Sequence, residues 1–160
     1  MTFNQIGYFK NASKNNCNLV FNWSNDLEVR KNSINKNKIS YKEHQSWFYS
    51  KINDKNSFIW IYFIKKNQPA GLVRFERKSN KYFVSYLLDY NYRGKNISKT
   101  MLIAAIDKFI KIKPRLKKIF AKVIKDNLIS LKVMKSAGFR LINNNAIIKK
   151  LYYEIKHETR

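Results

Sequence analysis

Between Ser57 and Lys66 the chain reads SFIWIYFIKK, dense in aromatic and β-branched residues, and it breaks at KNQPAG, a turn signal. GLVRFERK and KYFVSYLLD follow as two further strand-like runs. Three consecutive strands of this kind predict an antiparallel meander. From Ser98 the period changes. Met101, Leu102, Ala105, Ile106, Phe109 and Ile110 recur at helical spacing until Pro114 in KIKPR stops them. KKIFAKVIK returns to strand character, and Asp126 or Asn127 then stands where a helix cap is expected. That helix carries Leu128, Leu131, Met134 and Ala137 as apolar positions, with Gly138 as its C-terminal cap. One or two last strands fit NAIIKKLYYEIKH.

Upstream of the meander, NLVFNWSND reads as a short helix or turn. SYKEHQSWFYSKI is a stronger helix, in which Ser40 and Glu43 have capping-box spacing and Tyr41, Trp47, Phe48 and Ile52 form an apolar stripe. The order helix, helix, three strands, helix, strand, helix, strand predicts an α+β fold with one crossover and a mostly antiparallel central sheet flanked by helices. With 160 residues, 44% of them hydrophobic, the expectation is a single domain spanning 1–160.

Charge changes the picture only in part. Thirty-three lysines and arginines against 10 acidic residues give a formal net charge of +23. Such a field favours anionic partners. The cations are spread from Lys10 to Arg160 rather than gathered in one tail or helix, which ranks a non-enzymatic nucleic-acid binder below a small anionic ligand. Joint enrichment in Lys, Asn and Ile also fits a coding bias. The single cysteine, Cys17, excludes an internal disulfide and a cysteine metal cluster. No signal-like apolar core opens the chain, and FIWIYFI is too short to span a bilayer, so a cytoplasmic protein without membrane attachment is expected. Metal spacing, a Gly-x-Ser-x-Gly elbow and a Walker loop are all missing from the sequence.

Candidate chemistry starts at NYRGKNIS, residues 91–98, between the third meander strand and the long helix. A helix N-terminus offers free backbone N–H groups to an anion. Gly94 permits close approach, Asn96 tolerates a left-handed backbone, and Arg93 and Lys95 add charge suited to a diphosphate. On this stretch alone, a basic turn that merely starts a helix explains the residues equally well.

SYLLDYNYRGKNISKTMLIAAI as a whole resembles the acetyl-CoA loop of the GNAT N-acetyltransferases, Gln/Arg-x-x-Gly-x-Gly/Ala between a central strand and a helix. Arg93 fits the first position, while Asn96 and Ser98 stand where small residues are usual. DNLISLKVMKSAGFRLI resembles the second family signature, Asn-x-x-Ser/Ala-x-x-x-Tyr-x-x-x-Gly-Phe, through Asn127, Ser130, Gly138 and Phe139, with Met134 at the tyrosine position. WSNDLEVRKNSINKNKISYKEHQSWF is similar to the opening of the subgroup that acetylates UDP-linked amino sugars in the pseudaminic acid pathway; ribosomal-protein N-terminal acetyltransferases open in a related way.

The resemblance implies acetyl-CoA as co-substrate and direct attack of an amine on the thioester. It implies that backbone groups around Leu87, Leu88 and Asp89 receive the oxyanion and the pantetheine arm, and that Arg93, Gly94, Lys95, Asn96, Ile97, Ser98, Asn127 and Ser130 hold the coenzyme. His44, with an ordinary pKa of ~6.5, is the first candidate to accept the ammonium proton, ahead of Glu43 and Glu76; a water relay is open. Tyr86 or a water would replace the acid that Met134 cannot supply. Asn25, Arg30, Ser33, His44, Trp47 and Arg74 are the candidates for binding the acceptor, since a diphosphate favours arginine forks and a uracil or sugar face favours an aromatic ring. The partner expected is thus a small anionic UDP-amino sugar, with a peptide N-terminus as the alternative acceptor and a homodimer left open.

Overall fold

The computed structural model describes residues 7–143 and 147–156. Its strands are β1 (Tyr8–Asn11), β2 (Ser57–Lys65), β3 (Gln68–Lys78), β4 (Lys81–Leu88), β5 (Lys118–Ile124), β6 (Arg140–Asn143) and β7 (Ile148–Glu154). Five helices, α1 (Cys17–Ser24), α2 (Leu27–Lys31), α3 (Tyr41–Ile52), α4 (Ile97–Ile112) and α5 (Leu128–Ser136), complete the described fold. The seven strands form one sheet in the order β1-β2-β3-β4-β5-β7-β6, with only the β4–β5 pair parallel. This is the expected α+β arrangement: the β2–β3–β4 meander, then α4 as the crossover to β5.

The alternation within the meander separates two cores. Trp60, Val73, Phe75 and Val84 meet α4 through Met101, Leu102, Ile106 and Phe109, and the Phe75 and Phe109 rings stack at 4.0 Å. On the opposite face Ile59, Ile61 and Leu72 pack with Val20 and Trp23 of α1 and Phe48 of α3. Burying large apolar side chains on both faces provides the main stabilisation of such a sheet.

Local signals set the helix ends. The Ser40 hydroxyl accepts from the Glu43 N–H while a Glu43 carboxylate oxygen accepts from the Ser40 N–H, the expected capping box. Of the two candidate caps for α5, Asn127 fills the role, its side chain accepting from the Ser130 N–H at 3.0 Å. Gly138, at φ +100°, ends that helix as predicted.

Three elements differ from the sequence expectation. YFKN carries no strand alternation, yet it pairs with β2 as an edge strand, Tyr8 stacking on Phe63 at 5.3 Å. LEVRK becomes the short α2 because Asp26 accepts from the Glu28 and Val29 N–H groups. The strand before β7 begins at Arg140, directly after the Gly138 turn and upstream of the stretch expected to hold it. Asn145, Ala146 and His157 of that stretch lie outside the described residues.

Candidate active site

β4 and β5 pair only at Tyr82–Ile119 and Phe83–Phe120. Beyond that point the two parallel strands separate, and the far half of β4 faces an opening instead of a neighbouring strand. A slot of about 340 Å³ occupies the gap, lined by Leu87, Leu88, Arg93, Ser98, Asn127 and Ser130 among others. The NYRGKNIS turn leads into α4 at its mouth. Gly94 has φ +73°, and Asn96, the N-cap, sits in the left-handed region at φ 58°, ψ 11°. The expectation for Asn96 therefore holds, and Ile97 and Ser98 begin the helix with their N–H groups unpaired within it. A Cβ on Gly94 would meet nothing within 4 Å, so the glycine serves backbone conformation more than clearance.

The polar groups of this turn are more engaged than sequence reasoning expected. The Arg93 guanidinium donates to Asp26 at 2.8 Å and to the Leu88 carbonyl at 3.1 and 3.2 Å. Its charge is thus directed at tying α2 to the end of β4, although the side chain still lines the slot. Asp89 accepts from the Trp23 indole at 2.7 Å and from the Asn91 N–H at 2.9 Å, joining α1 to the same corner. Lys95 donates to the Asn91 carbonyl at 2.9 Å.

A second, larger cavity of about 660 Å³ lies on the α1–α3 face of the sheet. Arg30, Ser33, His44, Trp47 and Arg74 line it, as does Glu43. Five of the six residues proposed for acceptor binding are thereby brought together from α2, α3 and β3. Asn25 is not among the lining residues: its carboxamide accepts from the Ile39 N–H and donates to the Ile39 carbonyl, fastening the loop before α3. Glu76 lines neither cavity. It is 8% exposed, and its carboxylate pairs with Lys51 of α3 and, at 3.4 Å, with Lys78. Lining residues that sequence reasoning missed include Ser85 and Lys38. Ser85 had a usable signal, a hydroxyl midway along a strand on the face that the meander register places opposite Arg74. Lys38 had none, because its loop has no periodicity.

The acetyltransferase (GNAT) domain model matches residues 10–140 of the chain. The chain belongs to the GNAT acetyltransferase family. Membership makes the protein an acetyl-CoA dependent N-acetyltransferase with acetyl-CoA as co-substrate. Among solved structures, the spermidine N-acetyltransferase from Vibrio cholerae in complex with CoA and spermine superposes with a TM-score of 0.81 at 16% identity, over 94% of this chain and 96% of that one. A domain from Methanocaldococcus jannaschii gives 0.75 at 21% identity, over 90% and 96%. At these identities the likeness is one of fold. No curated protein sequence matches the chain.

Within this GNAT fold the two cavities share Val29, Ser33, Tyr86 and Leu87, so they meet across the outer half of β4. Burial shifts the ionisable groups there. It pushes the Tyr86 phenol up, an effect partly offset by a hydrogen bond with the Ser130 side chain. It lowers His44, partly offset by the contact of Nε2 with the Cys17 carbonyl at 3.2 Å. Because a carbonyl only accepts, Nε2 carries the proton and Nδ1 keeps the basic lone pair. Arg74 is lowered by burial and raised by the nearby Glu76 charge, and its guanidinium lies over the Trp47 ring at 5.1 Å. Burial raises Glu76, yet the Lys51 hydrogen bond and the Arg74, Lys78 and Lys51 charges outweigh it, leaving the carboxyl below its ordinary value. Glu76 is therefore a weak base held away from the cavities, and His44 is the better placed of the two.

Among the described residues no group of three or more His, Cys, Asp or Glu could hold a metal ion. No helix among them is long and apolar enough to cross a membrane.

Proposed function

We propose that this GNAT protein transfers acetyl from acetyl-CoA, held in the slot between β4 and β5, to the amine of an anionic small molecule held in the larger cavity. The acceptor class is a UDP-linked amino sugar of the kind acetylated in pseudaminic acid biosynthesis, and the compartment is the cytoplasm. The observation that carries the acceptor class is the charge of the larger cavity. Arg30, Lys38 and Arg74 line it against a single carboxylate, Glu43. That carboxylate is already engaged in the Ser40 cap. Arg30 donates to the Asn35 and Asn37 carbonyls and to the Ser33 hydroxyl, while its Nε is buried without a partner, leaving a donor for a bound anion. The Trp47 ring beneath Arg74 supplies a flat face for a base or a sugar.

Spermidine, a polycation, would be repelled by the same lining despite the fold shared with spermidine N-acetyltransferases. For the transfer itself, His44 Nδ1 is the proton acceptor, neutral at pH 7 because its pKa is lowered. The N–H groups opening α4 and the left-handed turn at Gly94 and Asn96 suit a pyrophosphate, which supports placing the coenzyme there.

Thiol release from acetyl-CoA, followed with UDP-amino sugars, spermidine and peptide N-termini as acceptors, tests the reading. UDP-amino sugars are expected to give the highest kcat/KM, and Arg74→Ala to raise their KM by about tenfold, in line with loss of a charge-assisted contact. Turnover with spermidine or a peptide and none with any UDP-amino sugar would overturn the acceptor class while leaving the transferase intact.

A further inference from the structure

When the amine displaces the coenzyme, the carbon–sulfur bond breaks and its electron pair goes to sulfur. The thiolate must then leave as an anion or take up a proton, and the group that supplies it has to reach both cavities. Only four lining residues are common to the two: Val29, Ser33, Tyr86 and Leu87. Val29 and Leu87 have no exchangeable side-chain proton. The Ser33 hydroxyl donates to the Val29 carbonyl at 2.6 Å and accepts from Arg30 at 3.0 Å, so its proton is committed to the α2 turn. Tyr86 is left. Its side chain is hydrogen-bonded by Ser130, which reaches it from the first turn of α5. Met134, one turn further along that helix, is 2% exposed, belongs to the core and has no proton to give.

We propose that Tyr86 is the acid that protonates the departing coenzyme sulfur, and that Ser130 is the positioning residue that orients its hydroxyl. In the balanced step the amine nitrogen forms the new bond to the acetyl carbon and the carbon–sulfur pair collapses onto sulfur. The Tyr86 O–H proton goes to sulfur, and the ammonium proton goes to His44 or to solvent. Solvent reprotonates the Tyr86 phenolate as the products leave. Ser130, expected from the sequence to hold the coenzyme, is thereby assigned to the acid. The proposal rests on acetyl-CoA binding in the slot and is independent of which amine accepts the acetyl group.

The test is the titration of the bound coenzyme thiol. CoA is bound to the full chain and its thiolate absorbance is followed with pH, desulfo-CoA serving as the blank for Cys17 and the tyrosines. A phenol that donates to sulfur stabilises the thiolate, so the wild-type complex is expected to ionise below the ordinary thiol value of about 8.5. Tyr86→Phe should raise that midpoint by about one pH unit, a tenfold loss of thiolate fraction at fixed pH. Ser130→Ala should move it in the same direction by less, and Met134→Leu should leave it in place. Glu28 and Arg93, the charged residues lining the slot, are the same in all four proteins. In turnover with any accepted amine, Tyr86→Phe should lower kcat at least tenfold with the KM for acetyl-CoA within about twofold. An unshifted thiol midpoint in a Tyr86→Phe protein that still binds CoA would overturn the proposal alone. Failure of the wild-type protein to bind CoA would overturn the coenzyme site first and the proposal with it.

Discussion

Replacing Glu76 by glutamine separates a structural carboxylate from a catalytic one. The side chain is 11% exposed and faces Lys51, itself 24% exposed, with Lys78 on its other oxygen. A fully exposed ion pair contributes about 0–1 kcal/mol, whereas breaking a buried one costs about 3–5 kcal/mol. A pair of intermediate exposure with one half-accessible lysine falls between them, and removing the charge also leaves Arg74, Lys51 and Lys78 without their shared counter-ion. A loss of roughly 1–3 kcal/mol at pH 7 is therefore expected. The dependence on pH has a definite sign. Burial raises the Glu76 pKa, but Lys51 and the other cations hold it below its ordinary 4.5 in the folded protein. Its contribution is present above 4.5 and disappears as the pH falls through the folded value. Urea unfolding of both proteins at several pH values should thus show a gap at neutral pH that closes in acid. Since Glu76 lines neither cavity, kcat should change by less than about twofold. A large loss of kcat in a variant as stable as the wild-type protein would refute the reasoning and return Glu76 to the chemistry.

Three other outcomes follow from the geometry. Gly94→Glu places a carboxylate at the mouth of the slot on a backbone at φ +73°, and calorimetry should show acetyl-CoA affinity reduced at least tenfold with near wild-type melting behaviour, since a Cβ there meets nothing. Gly71→Ala brings a Cβ to 2.6 Å from the Leu87 carbonyl and 3.1 Å from Met101 Sδ. A destabilisation of about 1–3 kcal/mol in denaturant unfolding is expected, accompanied by lower activity because Leu87 lies where the cavities meet. His44 is lowered by burial from its ordinary 6.5, so its neutral form favours the fold above that value and the benefit is lost as the pH falls below it. His44→Gln should remove that part of the acid destabilisation and, by deleting Nδ1 as the proton acceptor, reduce kcat at pH 7 by on the order of 100-fold.

Much of the fold was legible because its signals are local. The two-residue alternation in SFIWIYFIKK and GLVRFERK, the helical period from Met101 to Ile110, and caps such as Ser40 with Glu43 depend on neighbours within a turn or a strand. NYRGKNIS was legible for the same reason: a left-handed Asn96 and a positive-φ Gly94 are intrinsic tolerances of those residue types. YFKN and LEVRK were not. The first becomes a strand only because the edge of β2 offers it hydrogen-bond partners, and the second is a single turn held by one aspartate.

The site divides along the same line. The sequence by itself determined which side chains were available: the cations, one mid-strand serine, the tyrosine Tyr86, and a methionine at position 134 that cannot donate a proton. Only the tertiary structure decided how they are employed. It engaged Arg93 with Asp26, closed Asn25 onto Ile39, and paired Glu76 with Lys51, each because a distant partner arrived within hydrogen-bonding range. It also parted β4 from β5 after two residue pairs, so that one phenol stands where two cavities meet. Contacts 50 or more residues apart, such as Arg93 to Asp26 and Trp23 to Asp89, have no local pattern. They exist only once burial of the two sheet faces has brought α1, α2 and the end of β4 to the same corner.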